Sequence, residues 1–352
     1  MNNLIRMGLF KSKEAPKSYE EQLAIDVERG ELRSVITSVY YTDVLPGCSN
    51  ARVSTVETDS LSMRDTVEYN LLPQGRFPKT KDDRILLNRK IAEVLKMVHL
   101  EGLSRYKLYT LGKKQLYRVA MAKALMSEPD VMVINDLFRY EESTLRSKMV
   151  FELSRLHIKY HLTMIYCTTE DWEALRISDR ITVLNGDRIE QTDTPFTIYH
   201  NPNSCYVASR IDVNNIFDAY VHDVANGVAT IYTESAEIKL HNSSVQEKSL
   251  IYVMIRPNKI VLQDHPSENI NMSGILKGYL FAGAYYEARI QLGNGHIITA
   301  YTPDNQIEKG SKVYLNFKEE DCRLIPSVSE PIYEQIENLS RKVGNSLAVS
   351  AS

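Results

Sequence analysis

A chain of 352 residues with 43% hydrophobic content can fill two cores, and a formal net charge of -3 gives no whole-chain attraction to nucleic acid. No stretch approaches the roughly 18 apolar residues of a bilayer-spanning helix, and MNNLIRMGLFKSK lacks the apolar run of a signal peptide. A cytoplasmic location is therefore expected, with any membrane association through a partner. Cys48, Cys167, Cys205 and Cys322 form no C-x-x-C pair and fit a reducing compartment.

Residues 1–20 are polar and lysine-rich, as a mobile terminus would be. Leu23, Ile25 and Val27 alternate with polar residues before Arg29-Gly30, predicting a strand and turn. Ser18 with Glu21 has the capping-box pattern that would start a short helix instead. Val35 to Leu45 is apolar and tyrosine-rich, and Arg52 to Val56 reads as a short strand. From Thr80 the period becomes helical, with Leu87, Ile91, Val94, Leu95 and Val98 on one face and a stop at Gly102. A second helix begins near Gln115 and ends before Pro129, and Leu145, Met149, Leu153 and Leu156 define a third. Val131–Ile134, Thr163–Cys167 and Ile181–Leu184 read as strands between and after these helices. Such alternation predicts an α/β layer with a parallel sheet.

The texture changes after about residue 215. Asn226-Gly227 and Gly293-Asn294-Gly295 each sit between alternating runs, and Asn-Gly is a strong hairpin signal because its turn needs positive φ. With Leu250–Ile255 and Lys312–Phe317, this predicts an all-β unit of barrel type. Ile332, Ile336, Leu339 and Val343 then predict a short helix in the tail.

The stretch from about Glu57 to Phe217 resembles, nearly without gaps, the second half of an ATP-binding-cassette importer ATPase of the maltose and polyamine type. The resemblance is carried by YTLGKKQLYRVAMAKALMSEPDVMVINDLF and by TLRSKMVFELSRLHIKYHLTMIYCTTEDWEALRISDRITVLNGDRIEQTDTPFTIYHNP, where several motifs keep the family's spacing at once. IRPNKIVL and GILKGYLFAGAYYEARIQLGNGHIITAY resemble the family's regulatory domain, closest to polyamine-type importers. The resemblance implies an α/β fold. It would comprise a truncated cassette-type parallel sheet with a helical subdomain, followed by a small all-β, OB-like regulatory domain. Expected boundaries are a mobile N-terminus over 1–20, the degenerate cassette over 21–215, the β domain over 216–326 and a tail over 327–352.

Nucleotide binding in that family begins with a G-x-x-x-x-G-K-[ST] loop, whose backbone N–H groups and lysine hold the phosphates and whose hydroxyl ligates magnesium. No such string occurs here. LAIDVERGELRSVI resembles the segment just upstream, and Thr37-Ser38-Val39-Tyr40-Tyr41-Thr42-Asp43 stands where the loop belongs, with no glycine or lysine. Glu57 follows too soon to admit the helix after the loop. By resemblance, Glu57 aligns with the glutamine that senses magnesium and the attacking water. Gly112-Lys113-Lys114-Gln115 aligns with the signature S-G-G-Q, Asn135 with the magnesium-supporting aspartate, Asp136 with the water-polarising glutamate, and Thr169 with the switch histidine. The expectation is that these positions are not catalytic, and that neither the family's Mg-ATP nor another metal is held.

Several positions admit two readings. Lys113 and Lys114, at a helix start, either attract the γ-phosphate of ATP held by a partner cassette or are solvated. Val56, Leu61 and Met63 stand where the family's groove for a permease's coupling helix lies, or are ordinary packing. Phe281, Tyr285 and Tyr286 are barrel core and rim, or line a ligand site. His157 and His161 read as a surface pair lacking a third zinc ligand. Asp136 and Glu57 read as a remnant, not an acid–base pair.

The resemblance thus implies a catalytically inactive scaffold or regulatory component of a small-solute importer, with polyamine favoured and sugar next. It would lie on the inner face of the membrane through an integral-membrane permease, and pair with an intact cassette subunit or itself. A stand-alone ligand-sensing module and a divergent ATPase energising import remain the alternatives.

Overall fold

The computed structural model describes residues 4–10, 23–37, 43–46, 51–75, 77–186, 188–233, 236–241, 245–265 and 272–327. The chain divides into two units, residues 1–200 and 201–352. The loop substitute over 38–42, Ser18 and Glu21, Cys48 and the tail-helix residues lie outside the described residues.

In the first unit, β1 (Leu4–Phe10), β2 (Leu23–Glu28) and β4 (Asp43–Pro46) form an antiparallel sheet in the order β2-β1-β4. Leu23–Val27 is strand, as its alternation predicts. Part of the expected mobile terminus is instead strand. Ile5 and Met7 alternate with Leu4 and Arg6, so pairing β1 with β2 buries both beside Ile25 and Val27. That burial fixes a segment whose composition alone suggests disorder.

The second sheet holds β5 (Val53–Thr55), β6 (Val131–Asn135), β7 (Met164–Thr168), β3 (Leu32–Ile36), β8 (Arg180–Asn185) and β9 (Arg188–Asp193), in that order. The first five run parallel and β9 is antiparallel. Its central strands are buried on both faces, and the period of two sorts their residues. Val35, Val131, Val133, Ile165 and Cys167 enter one core. Leu32, Met132, Ile134, Met164 and Tyr166 enter the other.

The second of these cores is closed by α1 (Val67–Asn70), α2 (Lys81–Met97), α3 (Lys113–Leu125) and α4 (Ser143–Tyr160). Thr80 caps α2, its Oγ1 accepting from the Asp83 N–H at 3.2 Å. Leu87, Ile91, Val94 and Leu95 then form the buried stripe. The helix stops before Gly102, because Val98 caps it and His99 takes φ +56°. The unit is completed by α5 (Asp171–Ile177) and α6 (Pro195–His200).

The second unit begins with α7 (Cys205–Arg210), ahead of the expected boundary at 215/216. The reason is packing: Ala208 is buried with Met254 and Ile325, so this helix covers the face of the strands Ser249–Ile255 and Cys322–Pro326 that points away from the β core. One sheet runs β12 (Glu237–His241), β11 (Val228–Thr233), β10 (Asn215–Ala225), β13 (Ser249–Ile255) and β19 (Cys322–Pro326). The other runs β14 (Val261–Gln263), β18 (Lys312–Asn316), β15 (Met272–Phe281), β16 (Tyr286–Leu292) and β17 (Ile297–Thr302). Both are antiparallel and share one apolar core, giving the predicted all-β, OB-like domain. Asn226 and Gly227 take φ +54° and +78°, the two left-handed positions that an Asn-Gly hairpin turn requires.

Candidate functional site

Open parallel sheets bind ligands beyond the C-terminal ends of their strands. Here those ends bring the aligned positions to one edge. Glu57 follows Val56, whose N–H donates to the Val133 carbonyl at 2.8 Å. Asn135 closes β6 opposite Cys167, and Thr169 follows β7. β3 ends beside β7, the Thr37 N–H donating to the Thr168 carbonyl at 3.2 Å. From there only residues 37–42 separate β3 from β4, a strand of the other sheet. That connection is shorter than the G-x-x-x-x-G-K-[ST] string itself.

The ends of β6 and β7 carry a polar cluster. Asp136 adopts φ +40°, and its side chain is 11% exposed with neither oxygen hydrogen-bonded among the described residues. Burial pushes its carboxyl above the usual range, although the Arg146 guanidinium, 3.6 Å away, pulls the other way. Arg146, reaching in from α4, donates through Nε to Glu173 and stands 3.7 Å from Glu170. Glu173, fully buried on α5, also accepts from the Tyr166 hydroxyl at 2.7 Å and the Thr168 hydroxyl at 2.5 Å. The neighbouring Cys167 thiol is pushed up to about 12 by burial, which removes it as a nucleophile at neutral pH. The guanidinium is thus held by this chain's own carboxylates.

The signature positions are likewise engaged internally. Gln115 turns back to accept from the Gly112 N–H at 3.0 Å, capping α3. Lys113 pairs with Glu141 at 3.1 Å, and Glu141 also accepts from the Tyr117 hydroxyl at 2.8 Å. Lys114 and Arg118 share Glu152. Each lysine faces a carboxylate of this chain, although the Lys113 side chain stays 69% exposed.

Of the docking candidates, Val56 and Leu61 are core, 2% and 8% exposed, whereas Met63 is 43% exposed. His157 is not a surface residue. Its Nδ1 meets the Leu162 carbonyl at 2.8 Å and its Nε2 lies 3.1 Å from Asp179, while His161 caps the helix in the left-handed region. No metal-binding group of side chains occurs among the described residues. Phe281 is exposed, not core, and its ring lies 5.1 Å from Tyr286; Tyr285 stacks on Tyr301 at 4.2 Å.

Sequence reading missed Arg146, Tyr166, Thr168 and Glu173. One signal was present: Arg146 precedes Met149 and Leu153 by three and seven positions, which puts an arginine in the apolar stripe of α4. A buried arginine requires a buried acid.

This architecture is an ABC-ATPase-like α/β fold with a mixed sheet, joined to an OB-like β domain. Residues 253–325 match the TOBE domain family. The spermidine/putrescine import ATP-binding protein PotA of Trichormus variabilis is 31% identical over 275 residues, covering 75% of this chain and 70% of that protein. PotA of Legionella pneumophila strain Lens is 31% identical over 245 residues, covering 68% and 65%. Among solved structures, cbiO1 of Clostridium perfringens, part of the ABC transporter complex cbiONQ, has a TM-score of 0.45 and 14% identity, covering 56% of this chain and 91% of that one. The chain belongs to the PotA family of ABC importer ATP-binding proteins. No helix among the described residues is long and apolar enough to cross a membrane.

Proposed function

We propose that this chain is a subunit of a small-solute importer that keeps the cassette frame but does not load Mg-ATP into its own strand-end site. It serves as a scaffold or regulatory component. The observation that carries this reading is the passage from β3 to β4 through residues 37–42, too short for a glycine- and lysine-bearing phosphate loop. Internal pairing of Lys113, Lys114 and Arg146 supports it, since each cation already has a carboxylate. Polyamines are the favoured solute, because the relatives named above import spermidine and putrescine; sugars come second.

This reading needs two partners, an integral-membrane permease and an intact cassette that binds ATP, and places the chain peripherally on the inner membrane face. The permease contact falls on Met63, Tyr106 and Tyr109. They are 43%, 53% and 63% exposed, and the Tyr109 N–H donates to the Met63 carbonyl at 3.0 Å. Exposed tyrosine and methionine are characteristic of protein interfaces. The tagged chain, solubilised from its own cells in mild detergent, is expected to bring down both an identified permease and an intact cassette. The Met63→Glu, Tyr109→Glu double variant is expected to recover the permease at least tenfold less, with unchanged melting temperature. Recovery of the chain free of any permease contradicts the proposal. It would favour the sensing module, whose ligand face would be the aromatic cluster of Tyr279, Phe281, Tyr285, Tyr286 and Tyr301.

A further inference from the structure

The first unit holds a cavity of about 370 Å³ between the C-terminal end of α2, the middle of α3 and the last turns of α4. None of the strand-end positions described above lines it. Its floor is apolar: Val98, Met121 and Leu156 are 4%, 2% and 7% exposed. Met97 and Ile158 extend this surface to the rim, where Ile158 is 65% exposed. Methionine side chains adapt to varied apolar shapes, so two of them suit a flexible ligand.

The charges are asymmetric. Glu152 is the one carboxylate in the lining, and it is already taken. It accepts from Arg118 Nε at 2.9 Å and Nη2 at 2.8 Å, and pairs with Lys114 as well. Arg118 is committed in turn to Glu152, and its Nη1 donates to the His99 carbonyl at 3.2 Å. Arg155 and Lys159 remain. They are four residues apart on α4, so they share a face, and neither forms an ion pair among the described residues. Lys159 Nζ lies 5.1 Å from the ring centroid of Tyr160, which holds it over the same rim.

We propose that this cavity binds a small amphipathic anion, of the medium-chain carboxylate class. The alkyl body lies against Met97, Met121, Leu156 and Ile158, and the carboxylate pairs with Arg155 and Lys159. The volume falls in the range of about 300–1,000 Å³ typical of small-molecule sites. It has no carboxylate left to receive a cation, which excludes amines of similar length. A charge-assisted pair at the mouth of an apolar cleft supplies orientation, and the floor supplies affinity.

The test uses the full chain with octanoate, 1-octanol and octylammonium, each below its aggregation concentration, by calorimetry and thermal shift. Octanoate is expected to bind one-to-one and raise the melting temperature, and to bind at least tenfold more tightly than octanol or octylammonium. Arg155→Gln with Lys159→Gln, both exposed, is expected to weaken octanoate at least tenfold while leaving the ligand-free melting temperature within about 2 °C of the parent's, as neutral exposed substitutions do. Met121→Trp, which fills the floor, is expected to weaken octanoate and octanol alike. Absence of octanoate binding, equal affinity for octanol, or unchanged binding by the double charge variant overturns the proposal.

Discussion

Arg146→Ala is expected to lower the stability of the first unit by about 3–5 kcal/mol, the usual cost of removing one partner of a buried ion pair. The substitution strands Glu173, which is fully buried, with only the Tyr166 and Thr168 hydroxyls as donors. The chain's single tryptophan, Trp172, is adjacent to Glu173, so fluorescence during urea unfolding follows this unit selectively. A loss below about 1 kcal/mol, the worth of an exposed pair, would show that the cluster is not what holds these strand ends. Asp136→Asn should act in the opposite direction. Because burial raises the folded carboxyl's pKa, the native state holds that proton more tightly than the unfolded chain does. The stability from this group is fully present below the unfolded carboxyl range and is lost as pH rises through the raised folded value. The amide of the substituted side chain has no proton to lose in this range. The variant's advantage over the parent is therefore expected at pH 7 and should shrink towards pH 4.

Gly274→Ala is expected to destabilise the β domain by about 1–3 kcal/mol, as overpacking of a filled core does. A Cβ at Gly274 would lie 2.6 Å from the Gln291 carbonyl oxygen and 2.6 Å from Ile290 Cγ2. The oxygen is backbone of the paired strand and cannot swing aside, because Gly274 sits opposite Leu292 on one side and Val313 on the other. Gly293→Ala is the control: nothing lies within 4 Å of its Cβ, so about zero change is expected. Calorimetric melting of both variants checks the pair, and equal melting temperatures would contradict the steric reading.

Much of this fold was legible because its periods are strong. The period of two in β10 and β11, broken by Asn226-Gly227, and the stripe of Leu87, Ile91, Val94 and Leu95 each specify an element without tertiary help. Local pattern failed where a segment owes its structure to a distant partner. Leu4–Phe10 becomes strand by pairing with Leu23–Glu28, and α7 joins the second unit by packing on Met254 and Ile325, on the outer face of its sheet. The strand-end site divided in the same way. The resemblance implied the positions of Glu57, Asn135, Asp136 and Thr169, and the structure brings them to the strand ends. Their surroundings were not implied, because Arg146 and Glu173 are brought together from separate helices. Likewise, adjacency to a family groove could not separate buried Val56 and Leu61 from exposed Met63, since burial depends on how the segment is covered.

The most direct test of the proposed role is calorimetric titration of the purified full chain with Mg-ATP, repeated on the complex with an intact cassette. The expected result is no saturable heat for the isolated chain, and binding in the complex attributable to the partner's phosphate loop and lost when that loop's lysine is replaced. Tight one-to-one binding of Mg-ATP to the isolated chain would contradict the proposal and restore an ATPase reading.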